Sequence, residues 1–271
     1  MEDIVKSNPE FGLSDVTAVY SGPEGDLWEL LMGQQIHIGG FKASIDLADR
    51  ADIGAGSYGV DLCCCNGAGM RCLVRFRKVA SMVGVDATAT VVERGQSRCR
   101  EEGLADRVRL VLGDACNSGL PSASADFVWG EDAWCYVADK AKLIAEATRI
   151  VKPAGTIAFT DWVEGATGLS DAEADQVLRL MKFPNLQNIS GYARLLQDHG
   201  CAVLAAEDTG RFVPYIDLYL NMIEMQLTYD ALRIVGFDAG LLQTAVSGFT
   251  SLRELARAGK IAQARFIARR S

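Results

Sequence analysis

The chain has 271 residues, is 49% hydrophobic and 23% charged, and carries a formal net charge of −8. That length can bury one large domain, or one domain with a sizeable insert. The acidic balance, with no Lys/Arg cluster, excludes a nucleic-acid partner, because nothing offsets phosphate repulsion.

The apolar runs are too short and interrupted to cross a bilayer. The opening "MEDIVKSNPE" has no basic segment ahead of an apolar one, so export is not expected and a cytoplasmic location is the default. Eight cysteines would suit a disulfide scaffold only in a short exported chain. Cys63, Cys64 and Cys65 alternate sides on a strand, and no CxxC pair accompanies them. The two histidines, His37 and His199, lie far off in sequence. Zinc needs about four converging ligands, so no metal site is expected. Cys64, Cys72, Cys99, Cys116, Cys135 and Cys201 read instead as small buried apolar residues.

In chain order, the first fifty-odd residues, through "LWELLMGQQIHIGGF", read as helices and a turn outside any sheet. "YGVDLCC" is a buried strand, followed by a helix from about Ala68 to Val79. "SMVGVDA" is a second strand with "TVVERGQSRCREEG" as its helix, "RVRLVLGDA" a third strand and "ADFVWGEDA" a fourth. "DKAKLIAEATRIVKPAG" has apolar residues at helical spacing and stops at Pro153 and Gly155; "TIAFTDW" follows as strand five. From about Val163 to Asn188 the pattern is helical with no strand. "SGYARLLQDHG" starts a helix capped by Ser190 and closed at His199, and "CAVLAAEDT" is strand six. A long helical stretch runs from Val213 to Ala258, and "IAQARFIARR" ends the chain as a strand antiparallel to its neighbour. Strands alternating with helices imply parallel pairing with right-handed crossovers. The expected fold is therefore α/β, a doubly wound, mostly parallel seven-stranded sheet with an antiparallel last strand and a helical cover over one edge.

Ligands of such sheets bind beyond the carboxyl ends of the strands, where the strand order reverses. Four of those ends carry matching groups. After strand one, "DLCCCNGAG" places Gly67 and Gly69 in a turn narrow enough for backbone N–H groups to approach a ligand. Strand two ends in Asp86, whose carboxylate can take both hydroxyls of a ribose. Strand three ends in "GDA", where Asp114 can accept from an exocyclic amine and the Ala115 N–H faces a ring nitrogen. Strand four ends in "WGEDAW", with aromatic faces beside two carboxylates. Any one of these is commonly a cap or a solvated group; their order across four strands is the signal. A nicotinamide site would need GxGxxG after strand one, which this loop lacks.

The region from about Tyr58 to Asp161, with the last two strands, resembles a class I S-adenosylmethionine-dependent methyltransferase of Rossmann-like fold. The family's first motif, DxGxGxG, falls here on Asp61, Cys63, Cys65 and Gly67, so two of its three glycines are cysteines. Such an exchange suits only negative φ. The resemblance implies that these four residues form the cofactor turn, that Asp86 holds the ribose with Ala87 beside the adenine, that Asp114 and Ala115 meet the adenine edge, and that Glu131 meets the methionine portion. More narrowly, "QQIHIGG", "DAWCY" and "FPNLQNISGYARLLQDHGCAV" resemble the sarcosine/dimethylglycine group of small-molecule methyltransferases. The implied organisation is one domain: a cover over 1–56, a cofactor-binding core over 57–162, and helical inserts over 163–188 and 211–258. The implied reaction uses S-adenosylmethionine, yields S-adenosylhomocysteine, and methylates a small amine. O- or C-methylation, a nucleotide-dependent oxidoreductase and a non-catalytic cofactor-binding relative are the alternatives.

His37 is either the base for the acceptor or a backbone-bonded residue shaping the cover. Tyr20 either closes over the cofactor or packs. Trp134 and Tyr136 are candidates to line an acceptor cavity, where aromatic faces suit a cation; Tyr192 and Tyr215 are weaker ones. An acceptor carboxylate would call for Arg194 or Arg211. The stripe "LNMIEMQL" is helix packing or a homodimer face.

Overall fold

The computed structural model describes residues 5–271; the first four residues, part of the segment read above for an export signal, lie outside them. In chain order the elements are β1 (Lys6–Ser7), α1 (Leu13–Tyr20), α2 (Pro23–Met32), α3 (Gly40–Arg50), β2 (Tyr58–Leu62), α4 (Ala68–Phe76), β3 (Ser81–Asp86), α5 (Ala89–Glu101), β4 (Val108–Leu112) and β5 (Ala125–Glu131). After a 3₁₀ turn at Trp134–Tyr136 come α6 (Lys140–Ile150), β6 (Val151–Glu164), α7 (Asp171–Met181), β7 (Asn185–Leu186), α8 (Ile189–Asp198), β8 (Cys201–Asp208) and α9 (Phe212–Asn221). A π turn at Met222–Gln226, α10 (Thr228–Ile234), α11 (Ala239–Arg257) and β9 (Ile261–Arg270) complete the chain.

The main sheet has seven strands in the order β4-β3-β2-β5-β6-β9-β8. Pairing is parallel from β4 through β6, and β9 runs antiparallel between β6 and β8. Strand order reverses at β2, which is flanked by β3 and β5. Both faces of β2 are covered, so Val60, Asp61 and Leu62 are all buried, as parallel central strands require. On one face α6 and α8 supply Leu143, Ile144, Ala147, Tyr192 and Leu196. On the other, α3, α4 and α5 supply Leu47, Leu73, Val74, Val92 and Cys99. A third apolar cluster joins α1, α2, α7, α9 and α11 through Val19, Trp28, Val177, Ile216 and Leu252, and this is the cover.

Several expectations are corrected. The N-terminal segment divides: α1 and α2 belong to the cover, but α3 packs on the sheet face beside α4. The helix after strand one stops at Phe76, because Arg77 caps it and Lys78 turns left-handed at φ 58°. Strand five begins at Val151, not after Gly155. Lys152, Pro153 and Ala154 are exposed and the register slips there, so Pro153 sits in a bulge where no ladder N–H is needed. The 163–188 segment contains β7, which pairs antiparallel with β1; two-residue strands show no periodicity to read. The α8 cap is Asn188, which accepts from the Gly191 N–H at 2.7 Å, two residues ahead of Ser190. The last helical stretch is broken at Met222–Gln226 and again where Gly236 and Phe237 turn left-handed. His199 does close α8, its Nδ1 lying 2.8 Å from the Leu195 carbonyl. Cys116 is half-buried rather than core, and all eight cysteines are free. Among the described residues no helix is long and apolar enough to cross a membrane.

One buried group fixes the turn after β5. Asp161 on β6 accepts from the Cys135 N–H at 3.0 Å and from the Tyr192 O–H at 2.5 Å. Lys140 Nζ donates to the Cys135 and Val137 carbonyls, so Tyr136 is held from both sides. Burial pushes Asp161 up to about 7 from an ordinary value of 3.8. A raised carboxyl binds its proton more tightly in the folded chain, so its stabilising contribution is complete below about 4 and is lost as pH rises through about 7. Wild-type melting temperature is therefore expected to fall between pH 4 and 7 more steeply than that of Asp161→Asn, read by calorimetry across that range. Parallel slopes would show that Asp161 titrates normally.

Candidate active site

A cleft enclosing about 860 Å³, open mouth included, lies at the carboxyl ends of β2, β3 and β5, where the strand order reverses. The β2–α4 loop forms its floor. Cys63 and Cys64 N–H groups both donate to the Val85 carbonyl, at 2.8 and 3.1 Å, and the Cys65 N–H donates to Asp86 Oδ2 at 2.8 Å. Asp86 Oδ1 accepts from the Thr88 N–H at 2.9 Å, so one carboxylate ties the bend to the end of β3. Asn66 reaches the Gln34 carbonyl at 3.1 Å, and Arg71 donates to both Asn66 and Gln34, binding the loop to the N-terminal segment.

The bend is left-handed at Cys63 (φ 65°), Cys65 (φ 47°) and Gly67 (φ 73°). This corrects the expectation that cysteine here requires negative φ. The hydrogen bonds to Val85 and Asp86 hold the two cysteines in a conformation that costs an L-residue about 1–2 kcal/mol. Replacing both by glycine is expected to raise stability by about 1–2 kcal/mol, after the entropy that glycine loses on folding. A denaturant midpoint that does not move would show the bend to be unstrained.

Four carboxylates line the cleft: Asp61, Asp86, Glu131 and Asp132. Burial, reinforced by Glu131 and Asp86, holds Asp61 well above the ordinary carboxylate range. Burial also raises Asp86, against the opposing pull of the Thr88 and Cys65 N–H groups. No Lys or Arg lines the cleft among the described residues. Glu131 Oε1 accepts from Ser44 Oγ at 2.6 Å and lies 3.3 Å from His37 Nε2. Ser44 in turn accepts from Gln35 at 2.7 Å and lies 3.1 Å from His37 Nε2. Gly69 leaves room for Glu131: an added Cβ would stand 2.5 Å from Oε2. Asp132, left-handed at φ 51°, accepts from the Ile38 N–H at 2.8 Å and from Gln263 Nε2, which pins the "QIHIG" segment to β9.

Tyr20 from α1 closes the cleft on the cover side. Its O–H lies 3.3 Å from that of Tyr136, and the rings meet edge to face at 5.7 Å. Burial lifts both phenols above their usual range. Behind this pair a second, smaller cavity shares Tyr20, Ile36, His37, Asp132 and Tyr136 with the cleft and is otherwise walled by Trp28, Met32, Trp162, Met181 and Phe183.

Residues 60–159 match the family described as a methyltransferase domain. Over that stretch, 100 of its 271 residues, the chain is similar to a methyltransferase domain. Curated relatives align with part of the chain. Methyltransferase GfsG of Streptomyces halstedii is 27% identical over 62% of this chain and 61% of its own length. Dimethylglycine N-methyltransferase of Parasynechococcus marenigrum is 29% identical over 59% of this chain and 61% of its own. The chain thus spans about three-fifths of each. Among solved structures, Haemonchus contortus phosphoethanolamine N-methyltransferase 2, in complex with phosphomonomethylethanolamine and S-adenosylhomocysteine, superposes with a TM-score of 0.82 over 93% of this chain and 58% of that one, at 21% identity. That likeness shows the fold.

Against this methyltransferase domain the expected site residues divide. Asp61, Cys63, Cys65, Asp86, Ala87, Glu131, His37, Tyr20 and Tyr136 all line the cleft. Gly67 lies behind its floor as the left-handed cap of α4. Asp114 and Ala115 lie outside the cleft wall; the Asp114 carboxylate accepts from the Cys116 N–H at 2.8 Å within its own turn. Trp134 is fully buried, donating to the Leu62 carbonyl at 3.1 Å and stacked on Phe159, so it supports the floor from the core. Tyr192 is equally buried against Asp161. Tyr215 packs on the cover and Arg194 is exposed on α8, both away from the cleft. Arg211 pairs with Asp46 at 2.5 Å. Asp132 is the second of the two carboxylates read in "WGEDAW", whereas Ser44, Gln35 and Gln263 were not singled out in the sequence. Of these three, Gln263 carried a local signal, a polar residue within the apolar run of β9.

Proposed function

We propose that the protein transfers a methyl group from S-adenosylmethionine to a small-molecule amine. The observation that carries this reading is a partly apolar cleft with four carboxylates and no basic side chain among the described residues. Burying that much negative charge is unfavourable without a cationic occupant. The cofactor brings positive charge on sulfur and on its amino group against a single carboxylate, so it is a net cation. Asp86 would hold the ribose hydroxyls with the lone pairs left by the Cys65 and Thr88 N–H groups, and Asp61 and Glu131 would face the cationic end.

Bound there, S-adenosylmethionine would supply a methyl group on a positively charged sulfur to the amine lone pair, with S-adenosylhomocysteine as the leaving group and any amine proton passing to solvent. The chain's own part is positioning and exclusion of water. Tyr20 and Tyr136 form the partition between the two cavities, so an acceptor nitrogen in the second cavity meets their hydroxyls. His37 acts as a positioning residue: Nε2 is committed to Ser44 and Glu131, and the ring is 3% exposed. The narrower sequence resemblance and the dimethylglycine N-methyltransferase relative suggest a sarcosine- or dimethylglycine-like amine, whereas the charge of the cavities favours an amine without a carboxylate.

Titration calorimetry with S-adenosylmethionine and reduced nicotinamide cofactor tests the reading. Saturable binding of the first and none of the second is expected, followed by S-adenosylhomocysteine release with an amine acceptor. Nicotinamide binding in place of S-adenosylmethionine would overturn it. Mass spectrometry of the product separates N- from O- or C-methylation.

A further inference from the structure

We infer that the acceptor is an amine with an apolar body, and that this body occupies a slot between α2, α7 and α11. The inference rests on the methyltransferase reading above. The aromatic cavity behind Tyr20 and Tyr136 does not end blindly. A third cavity, enclosing about 400 Å³, shares Trp28 and Met181 with it and continues between Leu27, Leu180, Phe249 and Leu252. Its rim reaches the surface at the exposed Glu24. The three cavities therefore stand in series, divided by two partitions. The Tyr20–Tyr136 pair separates the first from the second, and Trp28 with Met181 separates the second from the third.

Charge decides what fits. No Lys or Arg lines any of the three among the described residues, whereas carboxylates line the first two and Glu24 rims the third. An acceptor bearing a carboxylate or a phosphate would bury that anion beside carboxylates with no counter-charge. A neutral or cationic amine meets aromatic faces at Trp28, Trp162, Tyr20 and Tyr136 instead. The third cavity offers little but aliphatic and aromatic surface, which suits a hydrocarbon body. Met181 is unbranched, so the inner partition can yield to it.

A test compares N-methylbutylamine, N-methyloctylamine, sarcosine and dimethylglycine as acceptors, with S-adenosylhomocysteine release as the readout and S-adenosylmethionine affinity measured beside it. Expected is a rise in kcat/KM of up to about four-fold per methylene from butyl to octyl, with the two amino acids at background. Ala245 of α11 also lines the slot; filling it by Ala245→Trp, or by Leu180→Trp should the first variant not fold, is expected to raise KM for the octyl amine at least ten-fold while leaving the butyl amine and cofactor affinity unchanged. Preference for sarcosine or dimethylglycine would overturn the inference but leave the methyltransferase reading intact. So would cofactor binding with no alkyl amine methylated. Equal losses for the long and short amines in the slot variants would overturn the assignment of the slot. Absence of S-adenosylmethionine binding would overturn the site reading, and this inference with it.

Discussion

Asp86→Ala is expected to weaken S-adenosylmethionine binding about 100-fold or more, measured by titration calorimetry. Two roles of this carboxylate are lost together. Its oxygens accept from the Cys65 and Thr88 N–H groups, so the bend loses its tie to β3 and two donors lose their acceptor. Its remaining lone pairs are those assigned to the ribose. A hydrogen bond to a charged group contributes about 1.5–3 kcal/mol, and about 2.7 kcal/mol corresponds to 100-fold. The fold should persist, because Val60, Leu62 and Val85 pack the strands independently of Asp86. A change below about five-fold would remove Asp86 from the cofactor site. Such a result would leave Asp61, Glu131 and Asp132 as the cleft carboxylates available to the ligand.

The largest stability loss is expected at Gly59, far from any ligand. Gly59 is the second residue of β2 and is directly paired with Phe127 of β5, and the ring of Phe127 lies over it so closely that an added Cβ would fall inside the ring's van der Waals envelope. Phe127 is 2% exposed and meets Trp129 edge to face at 6.4 Å, so it has no free direction in which to yield. Overpacking of a filled core costs about 1–3 kcal/mol, and Gly59→Ala belongs at the upper end. The urea midpoint should fall accordingly. Adding Phe127→Leu, which removes the ring, should restore part of the loss, since the two residues share one space. A Gly59→Ala midpoint equal to wild type would mean the ring moves freely. The same register places Asp61 opposite Trp129, so this glycine also sets where the cleft carboxylate stands.

The legible part of the fold follows from short-range physics. Runs such as "YGVDL" and "SMVGVD" are short and apolar because a parallel strand is covered on both faces, and their alternation with helical spacing implies the crossovers. Asp86 and Glu131 were legible for the same reason: a polar residue ending an apolar strand marks the carboxyl edge, where ligands bind. The same rule overreached at Asp114, whose strand also ends at that edge but whose carboxylate turns back on its own loop. Trp134 misled differently. An aromatic residue just past a strand end can point into the site or under it, and the 3₁₀ turn sends Trp134 under and Tyr136 in.

The sequence by itself determined the sheet class, the antiparallel last strand and the strand-end carboxylates, because each depends on residues a few positions apart. Tertiary structure decided which distant residues share an atom's reach. Ser44 meets Glu131 from 87 positions away, Tyr20 meets Tyr136 from 116, and Gln263 reaches Asp132 from 131. It also decided the hand of the cysteine bend, since two long-range anchors, the Val85 carbonyl and the Asp86 carboxylate, impose a left-handed conformation that cysteine would not choose alone. Local preference costs only a few kcal/mol to override, and a bend anchored at both ends by buried hydrogen bonds overrides it.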